Sequence, residues 1–326
     1  MNISSPSTLT KQSLSKSIDG TCLVLQYHRV GQFCYDPQNW AVDPYKFENQ
    51  MQYLATNCHV ISLDQMKNHI LSNTPFEPRT IVVTFDGGYS DVLYTALQIF
   101  ENYKIPATVF SASAYIMKQG QFWWDTLEDY FIANCFHGQL EIDFDNFVLK
   151  WPLENQMDRF KAYYDLYSVL IDKTPDQQQD LLGQIALSIK MQIEEFDNHR
   201  TMNAQELKEL DQSDLITIGG YTHHGVKLSS LNKFQQTDQI MKNKYVLEEV
   251  TGHEVRYFSY PFDDNCNHVI TGTARILRDN GFCLACGNSY ETINVAKPIA
   301  LHDIPRIKVG NWNPIAFHTF LDRIFD

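Results

Sequence analysis

The residue best suited to chemistry is Asp86, in the stretch "IVVTFDGGYSD" at positions 81–91. Apolar and β-branched residues lead up to this acid and two glycines follow it, which is the pattern of a buried strand that ends at a turn. A carboxylate at the C-terminal end of such a strand is where α/β enzymes place reactive groups. Asp86 is therefore a candidate general base. One acid alone does not hold a metal ion, so the rest of the chain must supply its partners.

Strand and helix patterns alternate on both sides of Asp86. Strands are predicted at 21–28, 59–63, 80–86, 107–113, 215–222, 255–262, 282–287 and 304–309. Helical periodicity occupies several of the intervals, for example 90–103, 234–252 and 268–281. This alternation predicts an α/β fold with a parallel sheet or barrel, whose active residues lie at the C-terminal ends of the strands.

The alternation stops between about 126 and 207. There "LEIDFDNFVLKW" predicts a hairpin that turns at Asp145-Asn146, and a helical run follows it. Tyr163, Tyr164 and Tyr167 recur at helical spacing in that run. Such a stripe can line a sugar groove, but packing is the more common use, and we favour packing. We interpret the whole segment as an insertion in the barrel.

Composition excludes several classes of function. The net charge is −13 without any basic run, which argues against binding to nucleic acid or to an anionic membrane. No apolar stretch reaches the roughly 20 residues that span a bilayer. Residues 1–20 are rich in Ser and Thr and predict a flexible tail, which leaves 21–326 as one domain. The seven irregularly spaced cysteines do not suggest a disulfide framework, so we expect a cytoplasmic protein.

Seven segments occur in an order that resembles the polysaccharide deacetylases, the NodB-homology domains of carbohydrate esterase family four. They are "LVLQYHRV", "VVTFDGGYSD", "IPATVFSAS", "FWWD", "LITIGGYTHHGVKLSSL", "YFSYPF" and "IPRIKVG". The resemblance is greatest to the branch found among surface-glycan biosynthesis genes. It implies a deformed (β/α) barrel of about seven parallel strands, here with a hairpin-plus-helix insertion. The implied reaction is removal of an N-acetyl group from an amino sugar.

That reaction needs a particular set of groups. A divalent ion held by one carboxylate and two imidazoles acidifies a bound water and polarises the acetamide carbonyl. A second carboxylate takes the proton from the water, and an acid protonates the leaving amine. The family motif T-F-D-D-G supplies the base and then a ligand, and the motif I-G-x-H-T-x-x-H supplies the two histidines.

This sequence departs from the family at all three ligand positions. Asp86 matches the base, but Gly87 stands at the carboxylate ligand, and Tyr221 and Gly225 replace the two histidines. His224, one position from a lost ligand, is the one rescue candidate. No metal cofactor is therefore expected; zinc or another divalent ion is expected only if the ligand set is rebuilt.

The resemblance also suggests the remaining site residues. Ser259 stands where many family members place an arginine against the catalytic aspartate. The late motif that supplies the acid has no clear match, and His302 in "LHDIPR" is the nearest candidate. We assign to substrate binding six residues of the matched segments: His28, Tyr221, His224, Trp124, Tyr260 and Arg306.

Three functions follow from these residues. The first is an amidohydrolase that works without the usual metal, and the second is a glycan-binding pseudoenzyme that keeps the sugar groove. The third is a zinc deacetylase with a rebuilt ligand set, which we rank last because even changes outside the ligands cost about 10- to 100-fold in metal affinity. We favour a protein that binds N-acetylated amino-sugar glycans or their precursors, with hydrolysis absent or metal-independent. If it is an enzyme, its class is hydrolases of carbon–nitrogen bonds other than peptide bonds.

Overall fold

A computed structural model describes residues 20–117, 120–133, 136–144, 147–190, 200–262 and 267–325. Its strands are β1 (Thr21–Tyr27), β2 (Arg29–Val30), β3 (Ala41–Val42), β4 (His59–Val60), β5 (Thr80–Gly87), β6 (Ala107–Ser111), β7 (Gln139–Phe144), β8 (Phe147–Pro152), β9 (Ile216–Gly220), β10 (Tyr257–Ser259), β11 (Leu284–Cys286), β12 (Ile293–Asn294) and β13 (Ile307–Lys308). Residues 1–19 of the predicted tail and the predicted hairpin turn Asp145-Asn146 lie outside the described residues.

The helices surround the strands in the order that the alternation predicted. They are α1 (Pro44–Asn57), α2 (Leu63–Ser72), α3 (Leu97–Tyr103), α4 (Trp123–Glu128), α5 (Gln156–Leu170), α6 (Pro175–Ser188), α7 (Ala204–Leu210), α8 (Lys233–Thr251), α9 (Asn267–Asp279) and α10 (Pro314–Phe325). π-Helical turns precede α3 at Val92–Ala96 and follow α4 at Asp129–Ala133.

Seven parallel strands form the main sheet, in the order β11, β10, β9, β6, β5, β1 and β13. Short β4 pairs with the first residues of β5 in the parallel direction, and β12 pairs with β1 in the antiparallel direction. A parallel bridge between Cys286 and Ile304 connects the end of β11 to the segment that enters β13. The sheet therefore curls into a half-barrel, and the predicted deformed (β/α) barrel of about seven parallel strands is confirmed.

The central strands are buried along their whole length because side chains from other elements cover both faces of the sheet. Alternate residues contribute to two different hydrophobic clusters. Leu25 and Val83 pack with residues of α1, α3 and α8 on the outer face, whereas Val24 and Val82 belong to the cluster that contains Trp123. Asp86 has the same parity as Val82, so its side chain lies on the inner face, at the C-terminal end of β5.

The segment 126–207 contains structure of its own. Strands β7 and β8 form an antiparallel hairpin in which Leu140 and Ile142 are buried. Helices α5 and α6 pack beside it, and their apolar residues join the same cluster as Trp123 and Trp124. Because this cluster continues into the barrel, α5 is held against the barrel rim. No helix in the described ranges is both long and apolar enough to cross a membrane.

Candidate functional site

Asp86 lies at the centre of a buried polar cluster at the ends of the strands. Its side chain is 1% exposed, and both of its carboxylate oxygens accept hydrogen bonds. Arg306 donates to them in the bidentate geometry, at 2.7 Å to Oδ1 and 2.8 Å to Oδ2. Gln26 Nε2 and Ser259 Oγ donate to Oδ2 at 2.8 and 3.1 Å. We call Gln26, Asp86, Ser259 and Arg306 the strand-end cluster.

Arg306 is as fully engaged as the acid it contacts. It immediately precedes β13, in the segment that lies between β11 and β1 in the barrel. Its side chain is completely buried. Besides Asp86, it donates to Ser259 Oγ at 2.8 Å, Asn288 Oδ1 at 2.9 Å and the Gly287 carbonyl at 2.9 Å. Ser259 stands where many members of the family have an arginine, and in this chain Arg306 supplies the guanidinium beside Asp86 instead. Arg306 is predicted to bind substrate, but this geometry does not support that role because its side chain has no exposed surface.

The electrostatics of the strand-end cluster keep Asp86 ionised. Burial alone would raise the pKa of the Asp86 carboxyl, but the Arg306 guanidinium outweighs it, and the pKa lies below its ordinary value. A general base needs a free lone pair within reach of the proton it removes. The oxygens of Asp86 instead face four protein donors, so its predicted role as the base has little geometric support in this arrangement.

The positions of the family's metal ligands carry no suitable donors. Gly87 and Gly225 have φ angles of +104° and +70°, in the region that favours glycine. A Cβ at Gly87 would lie 2.9 Å from the Tyr89 ring, and one at Gly225 would lie 2.8 Å from the Phe122 ring. The backbone here is therefore shaped for glycine.

The donor chemistry leads to the same result. The described ranges contain no group of three His, Cys, Asp or Glu residues that could hold a metal ion. Two glycines and the buried Tyr221 do not fit the site that the family's reaction needs. The absence of a metal cofactor nevertheless stays a prediction.

The two adjacent histidines are directed to other partners. His223 Nδ1 lies 2.9 Å from Ser113 Oγ, and burial lowers the pKa of His223 to about 4. His224 Nδ1 lies 3.0 Å from the Gln239 amide on α8, and its backbone N–H donates to the same side chain. Neither histidine lines the cavity beside Asp86, so the structure does not bring the predicted rescue ligand into the site.

A cavity of about 430 Å³ opens next to the strand-end cluster. Its walls come from the barrel rim, from the loop that precedes β3, from α5 and from later loops. The lining residues are Gln26, His28, Pro37, Gln38, Trp40, Tyr163, Tyr164, Tyr167, Ile171, Tyr221, Lys227, Phe262, Asn288, Tyr290 and Lys308. Of the predicted substrate-binding residues, His28 and Tyr221 are thus in the wall.

The tyrosine stripe of α5 both packs and lines this cavity. Tyr163 is fully buried and Tyr164 is 50% exposed, yet both rings contribute to the wall together with Tyr167. Tyr163 also contacts Gln38 of the opposite wall through its hydroxyl. Our preference for packing was therefore incomplete. Helical spacing alone does not separate a cavity wall from a core contact, because both require one continuous face.

His28 connects the cavity wall to the barrel. Its ring stacks on Trp40 at a centroid distance of 4.8 Å and an interplanar angle of 2°. It is 7% exposed, and its Nδ1 has no hydrogen-bond partner among the described residues. Burial lowers the pKa of His28 to about 3, so the ring is neutral at ordinary pH.

Three predicted site residues lie behind the wall. Trp124 is 2% exposed, stacks on Phe122 at 4.2 Å and donates from Nε1 to the Tyr89 hydroxyl at 2.9 Å. Tyr260 donates to the carbonyl of His302, and His302 Nε2 lies 2.9 Å from the Phe282 carbonyl oxygen. None of the three lines the cavity, so the geometry gives His302 no role as an acid there and Trp124 only a supporting one.

Sequence reasoning missed the amides and lysines of the wall. Gln26 pairs in register with Lys308, so a reading of the polar residues at strand ends could have found both. Asn288 lies just beyond β11 and was open to the same reading. Gln38, Lys227 and Tyr290 lie in loops, where no periodic pattern marks a side chain that faces a cavity.

Comparison with known proteins identifies the framework that carries the strand-end cluster. A family model described as polysaccharide deacetylase matches residues 73–135 and 188–280, on either side of the hairpin and α5. The chain therefore contains a polysaccharide deacetylase domain. No curated protein matches the sequence.

Solved structures show the same fold over nearly the whole chain. IcaB from Ammonifex degensii has a TM-score of 0.59 at 16% identity, covering 96% of this chain and 100% of its own. The Streptococcus pyogenes deacetylase PplD, in complex with acetate, has a TM-score of 0.58 at 13% identity, covering 93% and 99%. The BpsB deacetylase domain from Bordetella bronchiseptica has a TM-score of 0.54 at 15% identity, covering 90% and 98%. At these identities the likeness concerns the fold.

Proposed function

We propose that this protein binds N-acetylated amino-sugar glycans in the cavity and does not hydrolyse them by a metal-dependent route. The observation that carries the proposal is a contrast within one site. The acid at the base position is buried against a guanidinium, whereas the space beside it is open and lined by aromatic rings.

The cavity wall suits a sugar. Pyranose rings present apolar C–H faces that stack on aromatic rings, and their hydroxyl and acetamide groups need nearby polar partners. Trp40, Tyr164 and Tyr290 supply rings, and Gln38 and Asn288 supply amides that can both donate and accept. A volume of about 430 Å³ lies within the range of small-ligand sites.

The polysaccharide deacetylase domain supports the chemical class of the ligand. Polysaccharide deacetylases act on N-acetylated polysaccharides, and the resemblance extends to the branch associated with surface-glycan biosynthesis. We therefore place the protein in surface-polysaccharide assembly, as a binder of the glycan or its precursor. Its predicted cytoplasmic location belongs to the same proposal.

The test measures binding and turnover on the same preparation. Protein made without a polyhistidine tag is titrated calorimetrically with N-acetylglucosamine oligomers of two to six units, and acetate release is followed with and without added zinc or cobalt. Binding without acetate release is the expected result. Stoichiometric metal together with acetate release would overturn the proposal, and the absence of binding to any of these oligomers would also contradict it.

Metal-independent hydrolysis is distinguished by one substitution. Slow acetate release that persists in the presence of a chelator and is lost in Asp86→Asn would assign hydrolysis to the strand-end cluster. The Asn side chain keeps the shape of the acid while removing its charge. A measured unfolding curve must show that the variant is folded.

A further inference from the structure

One face of α5 continues past the end of the cavity wall. Its residues recur at intervals of three and four positions, which places them in one row along the helix and its C-terminal cap. They are Met157, Phe160, Tyr164, Tyr167 and Ile171. The last three line the cavity, whereas Met157 and Phe160 do not. With a rise of about 1.5 Å per residue, the row extends about 10 Å beyond Tyr164 toward the start of the helix.

The outer part of this row contributes little to the packing of α5. Met157 is 72% exposed, and Phe160 is only half-buried. The opposite side of the helix supplies the packing, where Leu166 and Leu170 are buried in the cluster shared with the barrel. Apolar surface that stays exposed in a continuous row beside a cavity points to a ligand that covers it.

The loop that precedes β3 runs beside the same part of α5. Gln38 contacts the Tyr163 hydroxyl, and three residues earlier in both segments the Tyr35 and Phe160 rings meet edge to face, with centroids 6.2 Å apart. Loop and helix therefore lie side by side as they leave the cavity. Pro37 and Gln38 line the cavity, whereas Tyr35 lies beyond it and is 38% exposed. The two elements that form part of the wall thus continue outward with exposed rings.

We call Tyr35, Met157 and Phe160 the α5 strip. The cavity opens toward the α5 strip at Tyr164, because the Tyr164 ring both lines the cavity and is 50% exposed. We propose that the α5 strip is a second sugar subsite, so that the protein binds a glycan chain whose next units lie outside the cavity. This inference rests on the proposed function, because it concerns the same ligand.

Continuity with the cavity identifies the occupant of the α5 strip. A chain that leaves the cavity past Tyr164 reaches Phe160 within about one helical turn. The Phe160 and Tyr35 rings offer apolar surface to the C–H faces of a pyranose, and Met157 is an adaptable apolar neighbour. The Tyr35 hydroxyl can donate to and accept from the hydroxyl groups of the sugar.

The helix of the α5 strip belongs to the insertion. The family model matches residues 73–135 and 188–280, and α5 lies in the interval between them. A preference for longer chains that depends on the α5 strip would therefore come from the insertion and not from the part of the chain that the family model describes.

The experiment compares a short and a long ligand on two proteins. Calorimetry measures the affinities of the dimer and the hexamer of N-acetylglucosamine for the wild type and for the double variant Tyr35→Leu with Phe160→Leu. Leucine keeps an apolar side chain against the core and removes the ring. We expect the ratio of hexamer to dimer affinity to fall about tenfold in the double variant, while the affinity for the dimer changes less than about twofold. A longer chain can bind in more registers, but this advantage is the same for both proteins and cancels in the comparison.

Two control variants test whether the rings and their position matter. Tyr35→Phe with Phe160→Tyr keeps both rings and should retain the wild-type ratio. Tyr45→Leu removes a ring that is 70% exposed on α1, outside the cavity, and should leave the ratio unchanged. Urea unfolding of each variant shows that it is folded.

The outcomes separate this inference from the proposed function. A ratio that is unchanged in the leucine double variant would overturn the second subsite while leaving glycan binding in the cavity in place. Sedimentation that shows a wild-type dimer and a monomeric double variant would assign the α5 strip to a second copy of the chain and would also overturn it. No binding of either oligomer would contradict the proposed function and with it this inference.

Discussion

The strand-end cluster and the cavity lie next to each other but differ in almost every physical respect. In the strand-end cluster, Asp86 and Arg306 are 1% and 0% exposed, and the carboxylate oxygens have several protein donors. In the cavity, the wall includes rings as exposed as Tyr164 and loops from distant parts of the chain. The first region has the contacts of a folded core, and the second has the contacts of a binding surface.

This difference gives Asp86 a structural role that does not depend on its serving as a base. A buried carboxylate that is paired and hydrogen-bonded stabilises the fold only as long as its partner remains, since an unpaired buried charge is costly. Asp86 also fixes Gln26 and, through Arg306, Asn288, both of which reach the cavity wall. The cluster thus supports the geometry of the wall whether or not chemistry takes place there.

The largest effect should come from separating the ion pair. Arg306→Met leaves the Asp86 carboxylate buried without its partner, and we expect the free energy of unfolding to fall by about 3–5 kcal/mol. Urea unfolding at pH 7 measures it. The double variant Arg306→Met with Asp86→Leu should lose less than the single one, because no buried charge is left unpaired.

A matched control uses a more exposed pair. Arg79 Nη2 lies 2.8 Å from Asp322, with side chains that are 24% and 46% exposed. Arg79→Met should therefore cost no more than about 1 kcal/mol. If Arg306→Met were as mild as this control, the strand-end cluster would not be the rigid part of the site.

The next effect concerns the turn that follows Asp86. Gly87→Ala combines a φ of +104° with a Cβ that would come within 2.9 Å of Tyr89, and it should destabilise by about 2–4 kcal/mol. Gly252→Ala isolates the backbone contribution, since Gly252 has a φ of +78° with nothing within 4 Å of its Cβ, and about 1 kcal/mol is expected there. Thermal or urea unfolding compares the two.

The same geometry predicts that a single substitution at Gly87 does not restore a metal site. Gly87→Asp should be destabilised at least as much as Gly87→Ala and should take up no stoichiometric zinc. Elemental analysis of the folded fraction checks this. Stoichiometric zinc in that variant would show that the turn still accommodates a ligand, and the contrast between a closed cluster and an open cavity would fail.

The fold was predictable because its signals are local. The approach to Asp86 along β5, the glycines after it and the alternation of strands with helices all follow from short-range periodicity and turn preference. The expectation that Gly87, Tyr221 and Gly225 stand at the family's ligand positions comes from the resemblance and stays a prediction. The partnership of Asp86 and Arg306 was not predictable, since it joins residues 220 positions apart and depends on how the segment after β11 closes the barrel.

The cavity was predictable only in part, for a different reason. His28 and Tyr221, which were named because their segments match motifs of the family, line the cavity, and their role in substrate binding stays a prediction. The lining residues of α5 have the same 3.6-residue spacing whether they face a cavity or a core, and loop residues such as Gln38 and Tyr290 carry no period at all. Trp124, Tyr260 and Arg306 are predicted to bind substrate but are buried behind the cavity wall. Residue type and sequence position do not show whether a side chain faces the cavity or packs behind it.

His28 sharpens the comparison because it belongs to the wall yet is buried like the strand-end cluster. Burial lowers the pKa of the folded-state imidazole to about 3, below its value near 6.5 in an unfolded chain. Between these pH values the unfolded state binds more protons than the folded state. The free energy of unfolding therefore has its full value above about pH 6.5 and falls as the pH is lowered. This one group should cost about 2 kcal/mol between pH 7 and pH 5.

His28→Phe keeps a ring against Trp40 and removes the titration. The variant should therefore show a shallower loss of unfolding free energy between pH 7 and pH 5 than the wild type. His318→Phe provides the control, since His318 stacks on Tyr53 at the helical surface far from the cavity wall. An unchanged pH slope in His28→Phe would mean that His28 is solvated and that the wall is looser than its contacts indicate.

The smallest effect on the fold, and the most specific one for the cavity, is expected from Tyr164→Ala. Tyr164 is 50% exposed and lines the cavity, so its removal should change the free energy of unfolding by no more than about 0.5 kcal/mol. Loss of a stacking ring should weaken binding of N-acetylglucosamine oligomers about tenfold. Tyr245→Ala, on α8 and 67% exposed outside the cavity, should leave the affinity unchanged. Equal affinities for the two variants would show that the Tyr164 ring does not contact the sugar. The sugar would then bind outside this cavity.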